Sequence, residues 1–159
     1  DEDKALEYNQ QYMDKNPNAA PTDFMKLAEI YVNKAKKDPA KKIENIDKAI
    51  SVYAKLAEKY PTLKPFAKLQ EGNTAFQNEL DDKAIAAYTE VINELEAKQC
   101  DEDELSYLKT SYQYMGFIYT YDKQDFNTAK PYWDKLLKLD PQNKLANDAY
   151  EKAGLKPGE

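Results

Sequence analysis

The sequence predicts an all-α chain: a solenoid of antiparallel helix pairs, about three and a half pairs closed by a C-terminal capping helix. Three observations predict it. First, one spacing recurs: an alanine, a residue four positions on, then a proline eight further on. It reads Ala5–Asn9–Pro17, Ala49–Tyr53–Pro61 and Ala129–Trp133–Pro141, and a fourth copy, Ala84–Tyr88, has Glu96 where proline would fall. Second, upstream lies a small residue followed three positions later by an aromatic or another small one: Ala28–Tyr31, Gly72–Ala75 and Gly116–Tyr119. Third, each copy sits in a segment of helical periodicity. In Lys48 to Tyr60, for example, Ala49, Ile50, Val52, Tyr53, Leu56, Ala57 and Tyr60 form one apolar stripe.

The physical reason for the pattern is packing. A small alanine lets a neighbouring helix approach, and the aromatic one turn later fills the space beside it. Proline lacks an N–H and stops the helix. A glycine inside a helix costs about 1 kcal/mol against alanine. Gly72 and Gly116, half of the four glycines in the chain, both interrupt helical stretches, which points to close helix contacts.

In order, the chain reads as helix from about Asp3 to Lys15, a turn at Asn16-Pro17-Asn18, and helix from about Pro21 to Lys36. Asp38-Pro39 is a helix start, because aspartate caps and proline suits the first turn; that helix is expected to run to about Lys59. Pro61-Thr62 turns. Helices follow over Lys64–Gln77 and Asp81–Ala97, the latter capped by Asp81, then over Asp103–Tyr121 and Phe126–Leu139. A last, more polar helix, Gln142–Ala153, fits the cap that closes such arrays, and Leu155–Glu159 reads as a frayed tail. The aromatic run Tyr112–Tyr121 could pass for a strand, but its flanks and its place in the repeat favour helix.

On these residues the chain resembles the tetratricopeptide repeat family, whose unit is a 34-residue helix–turn–helix. Gly72, Ala75, Ala84, Tyr88 and Val91 match the family's positions and intervals, with Ala75 where the family prefers tyrosine. Met115, Gly116, Tyr119, Ala129, Trp133, Leu136 and Pro141 match with one extra residue in the turn. Leu27, Ala28, Tyr31, Ala49, Tyr53, Leu56 and Pro61 match with a longer connection around Lys36–Lys42. The first copy, Ala5–Pro17, has only its second helix, so residue 1 is expected not to be the native start; a removed signal peptide or further repeats would precede it. The resemblance implies one domain over residues 1–159 with a right-handed superhelical course. Its parts are an incomplete repeat at 1–17, repeats at 21–61, 64–98 and 103–141, and a capping helix at 142–153. The family's use of lysine-, asparagine- and tyrosine-rich repeats also points to a bacterial periplasm or cell envelope.

Composition narrows the chemistry. The chain has 159 residues, 42% hydrophobic and 33% charged, with net charge −6. No apolar run approaches the roughly 18 residues that span a bilayer. All 23 basic residues are lysine, which leaves neither a basic face nor bidentate arginine for nucleic acid. Without histidine the common general base and metal ligand are missing, and a serine–histidine or cysteine–histidine pair cannot be built. No catalysis, cofactor or metal is expected. The acidic run Asp101–Glu104 lacks the alternating spacing and glycine of a calcium loop, and suits a helix N-terminus. Cys100, the single cysteine, reads as an incidental thiol.

Tyr31, Tyr53, Tyr88, Tyr119 and Trp133 lie on the packing stripes and read as core. The candidate site is what remains on the first helix of each hairpin, the helix that lines the concave face in the family. In the middle hairpin it is Phe66, Leu69, Gln70, Asn73, Phe76 and Gln77. In the last it is Thr110, Gln113, Tyr114, Phe117, Thr120 and Tyr121, and in the first Met25, Lys26, Glu29, Val32 and Asn33. Phe66, Phe76, Phe117 and Tyr121 would be anchors; Gln70, Asn73, Gln77 and Gln113 would bond a peptide backbone. Of the carboxylate clamp that some family members carry, only Asn73 matches, while Met25, Gln113 and Tyr114 stand where clamp groups would be, which disfavours a chaperone-tail adaptor. The expected function is a non-catalytic protein-interaction module taking a peptide or helix in the concave groove, with a partner of basic character. The alternatives are a structural segment self-associating through an uncovered Leu6, Tyr8 and Tyr12, or an accessory domain of an enzyme or envelope complex.

Overall fold

The structure is a computed structural model that describes residues 2–158, the side chains of Glu2, Asp3, Ala5 and Asp14 excepted. Ala5, the first alanine of the repeat, therefore lies outside the described side chains. The helices are α1 (Glu2–Lys15), α2 (Pro21–Lys37), α3 (Lys42–Lys59), α4 (Lys64–Phe76), α5 (Asp81–Glu96), α6 (Glu102–Phe117), α7 (Phe126–Leu139) and α8 (Lys144–Lys152). The described residues contain no strand. Short 3₁₀ turns at Pro39–Lys41 and Pro61–Leu63 precede α3 and α4, and a π-helical turn, Ile118–Asp122, follows α6.

Local chemistry sets the starts. The Asp23 carboxylate of α2 accepts the Ala20 N–H at 2.9 Å. At α6 the bonds are reciprocal: Asp101 accepts from the Glu104 N–H at 2.9 Å, and Glu104 from the Asp101 N–H at 3.2 Å. The acidic run thus does what a helix N-terminus asks of it. Asp125 caps α7 through the Thr128 N–H and hydroxyl, and Asn143 caps α8 through the Ala146 N–H. Asp38 bonds the Ala40 N–H, but the chain makes a 3₁₀ turn there before α3 begins. Asp81 is the first residue of α5 rather than its cap; the Ala84 N–H bonds the Leu80 carbonyl.

The chain divides into two compact units, residues 1–84 and 85–159. In the first unit, α1, α2, α3 and α4 surround a core that includes Leu6, Phe24, Leu27, Ala28, Ala49, Val52 and Leu56. Ala28 and Ala49 are wholly buried. Ala28 and Ala49 are 21 positions apart, whereas Gly72 and Ala84 are 12 apart. The excess goes into helix, not loop. Lys37 ends α2 nine residues past Ala28, while α4 ends four past Gly72; α3 starts seven residues before Ala49, while α5 starts three before Ala84. Both helices of the first hairpin are lengthened by about a turn, which keeps every added N–H in a helical bond.

The second unit solves a smaller excess differently. Gly116 and Ala129 are 13 apart, one more than Gly72 and Ala84. The sequence puts the extra residue in the turn; the structure puts it in the π-helical segment, where the Lys123 N–H reaches back to the Ile118 carbonyl at 2.9 Å. The connection then shortens to Lys123–Asp125. The residue two before the next helix holds positive φ in both hairpins, Glu79 at 63° and Gln124 at 55°.

Gly116 is where two helices meet. A Cβ placed on it would lie 2.5 Å from Trp133 Cε2 and 2.6 Å from Cδ2. Trp133 is wholly buried, and its indole Nε1 donates to Thr120 Oγ1 at 2.9 Å. The π turn carries Thr120 round to that position, so Thr120 is buried core rather than the open-face residue expected.

A second tie crosses three helices. Glu96, at the end of α5 where the other repeats have proline, accepts from the Tyr112 hydroxyl of α6 at 2.5 Å and from Lys135 of α7 at 2.7 Å. Lys135 also sits 5.7 Å from the Tyr112 ring centre. Partial burial pushes the Glu96 carboxyl up, but the bonds from Lys135 and Tyr112 outweigh it and hold the group below its ordinary value. Asp134 repeats the arrangement one hairpin later: it takes the Tyr150 hydroxyl and lies 3.1 Å from Lys130. Tyr112 and Tyr150 are therefore core (4% and 1% exposed), two aromatics beyond the five read from the sequence. Of those five, Tyr31, Tyr88 and Trp133 are buried, while Tyr53 and Tyr119 are half-buried, Tyr119 stacked on Tyr132 at 6.1 Å.

Two outcomes follow from these contacts. Gly116→Ala should lower unfolding free energy in urea by about 1–3 kcal/mol through overpacking, although the same change in an open helix would raise it by about 1 kcal/mol; an unchanged or raised midpoint would remove the contact. For Glu96 the folded-state value is depressed, so its contribution is present above the unfolded carboxylate value of 4.5 and lost as pH falls through the lower folded value. The stability gap between wild type and Glu96→Gln, read by thermal melts, should stay constant at neutral pH and close below that value. A gap independent of pH down to strong acid would contradict the tie.

Candidate functional site

On α4, Phe66, Gln70, Asn73 and Gln77 fall on one stripe at steps of four, three and four, with Phe76 beside it. The rest of the helix is spent on packing: Gly72 and Ala75 on the far side and Leu69 beside the stripe are buried. Phe66, Gln70, Asn73 and Phe76 are half-buried and Gln77, which follows the last residue of α4, is exposed. Phe66 packs on the core of the first unit with Val32 and Tyr53, so its ring is in part structural. Leu69, at 6% exposed, is a core residue. Glu71 is also buried, with Lys68 at 3.1 Å; no sequence signal beyond their i,i+3 spacing marks it. On α2, Met25, Lys26, Glu29 and Asn33 are exposed and Val32 is half-buried.

Gln113, Tyr114 and Phe117 of α6 and Tyr121 of the π-helical turn after it are all half-buried. The Phe117 and Tyr121 rings tilt against each other at 4.8 Å between centres. Tyr114 stacks on Tyr88 at 5.6 Å with 15° between the planes. Gln113 Oε1 accepts from Asn143 Nδ2 at 3.2 Å, which leaves the amide nitrogen of Gln113 as a donor. Lys152 lies 4.5 Å from the Tyr121 ring centre, and burial, with Asp148 adding to it, pushes the Tyr121 hydroxyl up. Asn143, which caps α8, and Asp148 and Lys152 within it thus edge the α6 face. Sequence reasoning assigned α8 only a closing role and missed this one.

On α1, Leu6 and Met13 turn inward (5% and 7% exposed), whereas Tyr8 and Tyr12 are 71% and 55% exposed. The expectation that Leu6 is uncovered is corrected: it lies seven residues from Met13, on the face that meets α2, and the tyrosines are on the other.

Among the described residues no group of three or more Cys, Asp or Glu could hold a metal ion. The Cys100 thiol points at the Leu95 carbonyl, 3.3 Å away, and burial pushes its pKa up. Among the described residues no helix is long and apolar enough to cross a membrane. Half-buried aromatic faces beside oriented amides are what these first helices present.

Residues 24–62 match the family model described as tetratricopeptide repeat, a range that runs from α2 through α3 into the turn beyond. No curated protein and no solved structure matches the chain. The matched segment is the first complete hairpin read from Ala28 and Ala49, and the match supports a tetratricopeptide repeat over residues 24–62.

Proposed function

We propose that this chain is a non-catalytic protein-interaction module that takes an extended peptide or a helix of another protein on the first-helix faces of its hairpins. The family supports protein binding. The observation that carries the finer reading is the α6 face: Tyr114, Phe117 and Tyr121 stay half-exposed beside a Gln113 amide held by Asn143, although Tyr112, Met115 and Gly116 of the same helix are buried. Rings held by stacking lose little entropy on contact, and an oriented amide meets a backbone carbonyl at low cost. On α4, Phe76 is the matching anchor and Gln70, Asn73 and Gln77 the backbone partners. The net charge of −6 favours a partner of basic character. The proposed setting is a bacterial periplasm or cell envelope, in keeping with the family's use of lysine-, asparagine- and tyrosine-rich repeats there.

A second reading has one observation in its favour. Tyr8 and Tyr12 are large, exposed and adjacent on α1, which suits assembly with another chain through that helix.

Affinity capture from cell-envelope and cytosolic extracts, run with the native chain, a Phe76→Ala/Phe117→Ala variant and an Asn73→Ala variant, separates the two. The variants should keep their circular dichroism. A protein held by the native chain should be lost with the double variant and weakened with Asn73→Ala. Capture that survives both, or self-capture alone, would move the function to α1.

A further inference from the structure

A recess lies within residues 85–159, lined by none of Gln113, Tyr114, Phe117 and Tyr121. It is a cavity of about 360 Å³ where the ends of α5 and α7 meet the start of α6. That is near the lower end of the roughly 300–1,000 Å³ typical of ligand clefts, a size for side chains rather than for a cofactor. Its floor is leucine: Leu95 and Leu108 are buried, Leu105 is half-buried, and Leu139 is exposed. Its rim is lysine. Lys98, Lys135 and Lys138 line it against a single lining acid, Glu96. Lys135 is paired with Glu96 and Lys98 with Glu104 at 2.5 Å, and Lys138 is in neither pair. Among the lining side chains lysine outnumbers acid three to one, the reverse of the chain's own balance, with Asp101 and Glu104 near enough to act on Cys100.

We propose that this cavity receives a leucine-type side chain flanked by carboxylates, from an acidic apolar segment of another protein. The leucine floor takes the apolar group by area removed from water. The Lys138 ammonium, freely placed at the rim, meets a carboxylate that a basic or neutral segment would lack, so charge decides which segment is accepted. The Glu96 tie forms one wall, so the recess is shaped before anything binds.

Cys100 lines the same cavity and serves as a reporter rather than as part of the site. Maleimide modification of Cys100 in the whole chain is timed at neutral pH with either of two capped tetrapeptides. One has two leucines between glutamates, the other two leucines between lysines. The glutamate peptide should slow modification several-fold at saturation and the lysine peptide should not. Lys138→Glu, at an exposed position, should reverse that preference, and Leu139→Gln should abolish protection by either peptide with the fold intact by circular dichroism. Equal protection by both peptides, protection by neither, or a Lys138→Glu chain with unchanged preference would overturn the proposal.

Discussion

The absence of a side chain at Gly116 is what the second unit depends on. The Trp133 ring fills the space a Cβ would take, with ring atoms 2.5–2.8 Å from where that carbon would stand. Several other features are arranged around this contact. The indole nitrogen needs a partner once buried, and Thr120 supplies it. Thr120 reaches that place because the helix widens by one residue in the π turn. Ala129, on the same helix as Trp133 and wholly buried, lets the approach continue along the pair. A helix pair held by a ring against a backbone is rigid, and a rigid first helix can present a face for recognition.

The same constraint explains where the irregularities fall. Extra residues enter both complete hairpins that depart from the family's spacing, and in both cases the interlocking small and aromatic positions stay in place. The first hairpin lengthens both helices; the last takes up one residue in a wide turn. Either route keeps backbone groups bonded. The hairpin with no excess in its small-residue spacing carries its own departure at Glu96. Proline there would end the helix and nothing more. Glutamate ends it and reaches Tyr112 and Lys135, replacing a stop signal with a cross-brace. A carboxylate at a helix C-terminus opposes the helix dipole, and the Lys135 ammonium offsets that cost.

Much of this was legible in the residues because the repeat encodes packing. Ala28, Ala49, Ala84, Ala129, Tyr88 and Trp133 were marked by spacing alone, and all are buried. Helix α7 was read with its observed ends despite Pro131 in its interior. What stayed hidden depends on three dimensions. Tyr112 and Tyr150 look like surface tyrosines until their hydroxyls are seen on Glu96 and Asp134. Thr120 changes sides because one extra helical residue turns every later side chain by about 100°. Leu6 and Tyr8 sit two apart on a helix with only one covered face, and only the fold says which. On the candidate faces, sequence marked the aromatics and amides of α4 and α6, but not the edge that α8 adds with Asn143 and Lys152.

The claim at the centre is that Gly116 and Trp133 act as one interlock. A double-mutant cycle in urea unfolding measures it, with Gly116→Ala, Trp133→Leu and the pair together. If the ring is what excludes the added methyl, shrinking it should remove the penalty of the alanine, giving a coupling of about 0.5–3 kcal/mol. Additive effects, agreeing within about 0.3–0.5 kcal/mol, would mean that the two residues contribute separately and that the interlock does not organise the unit.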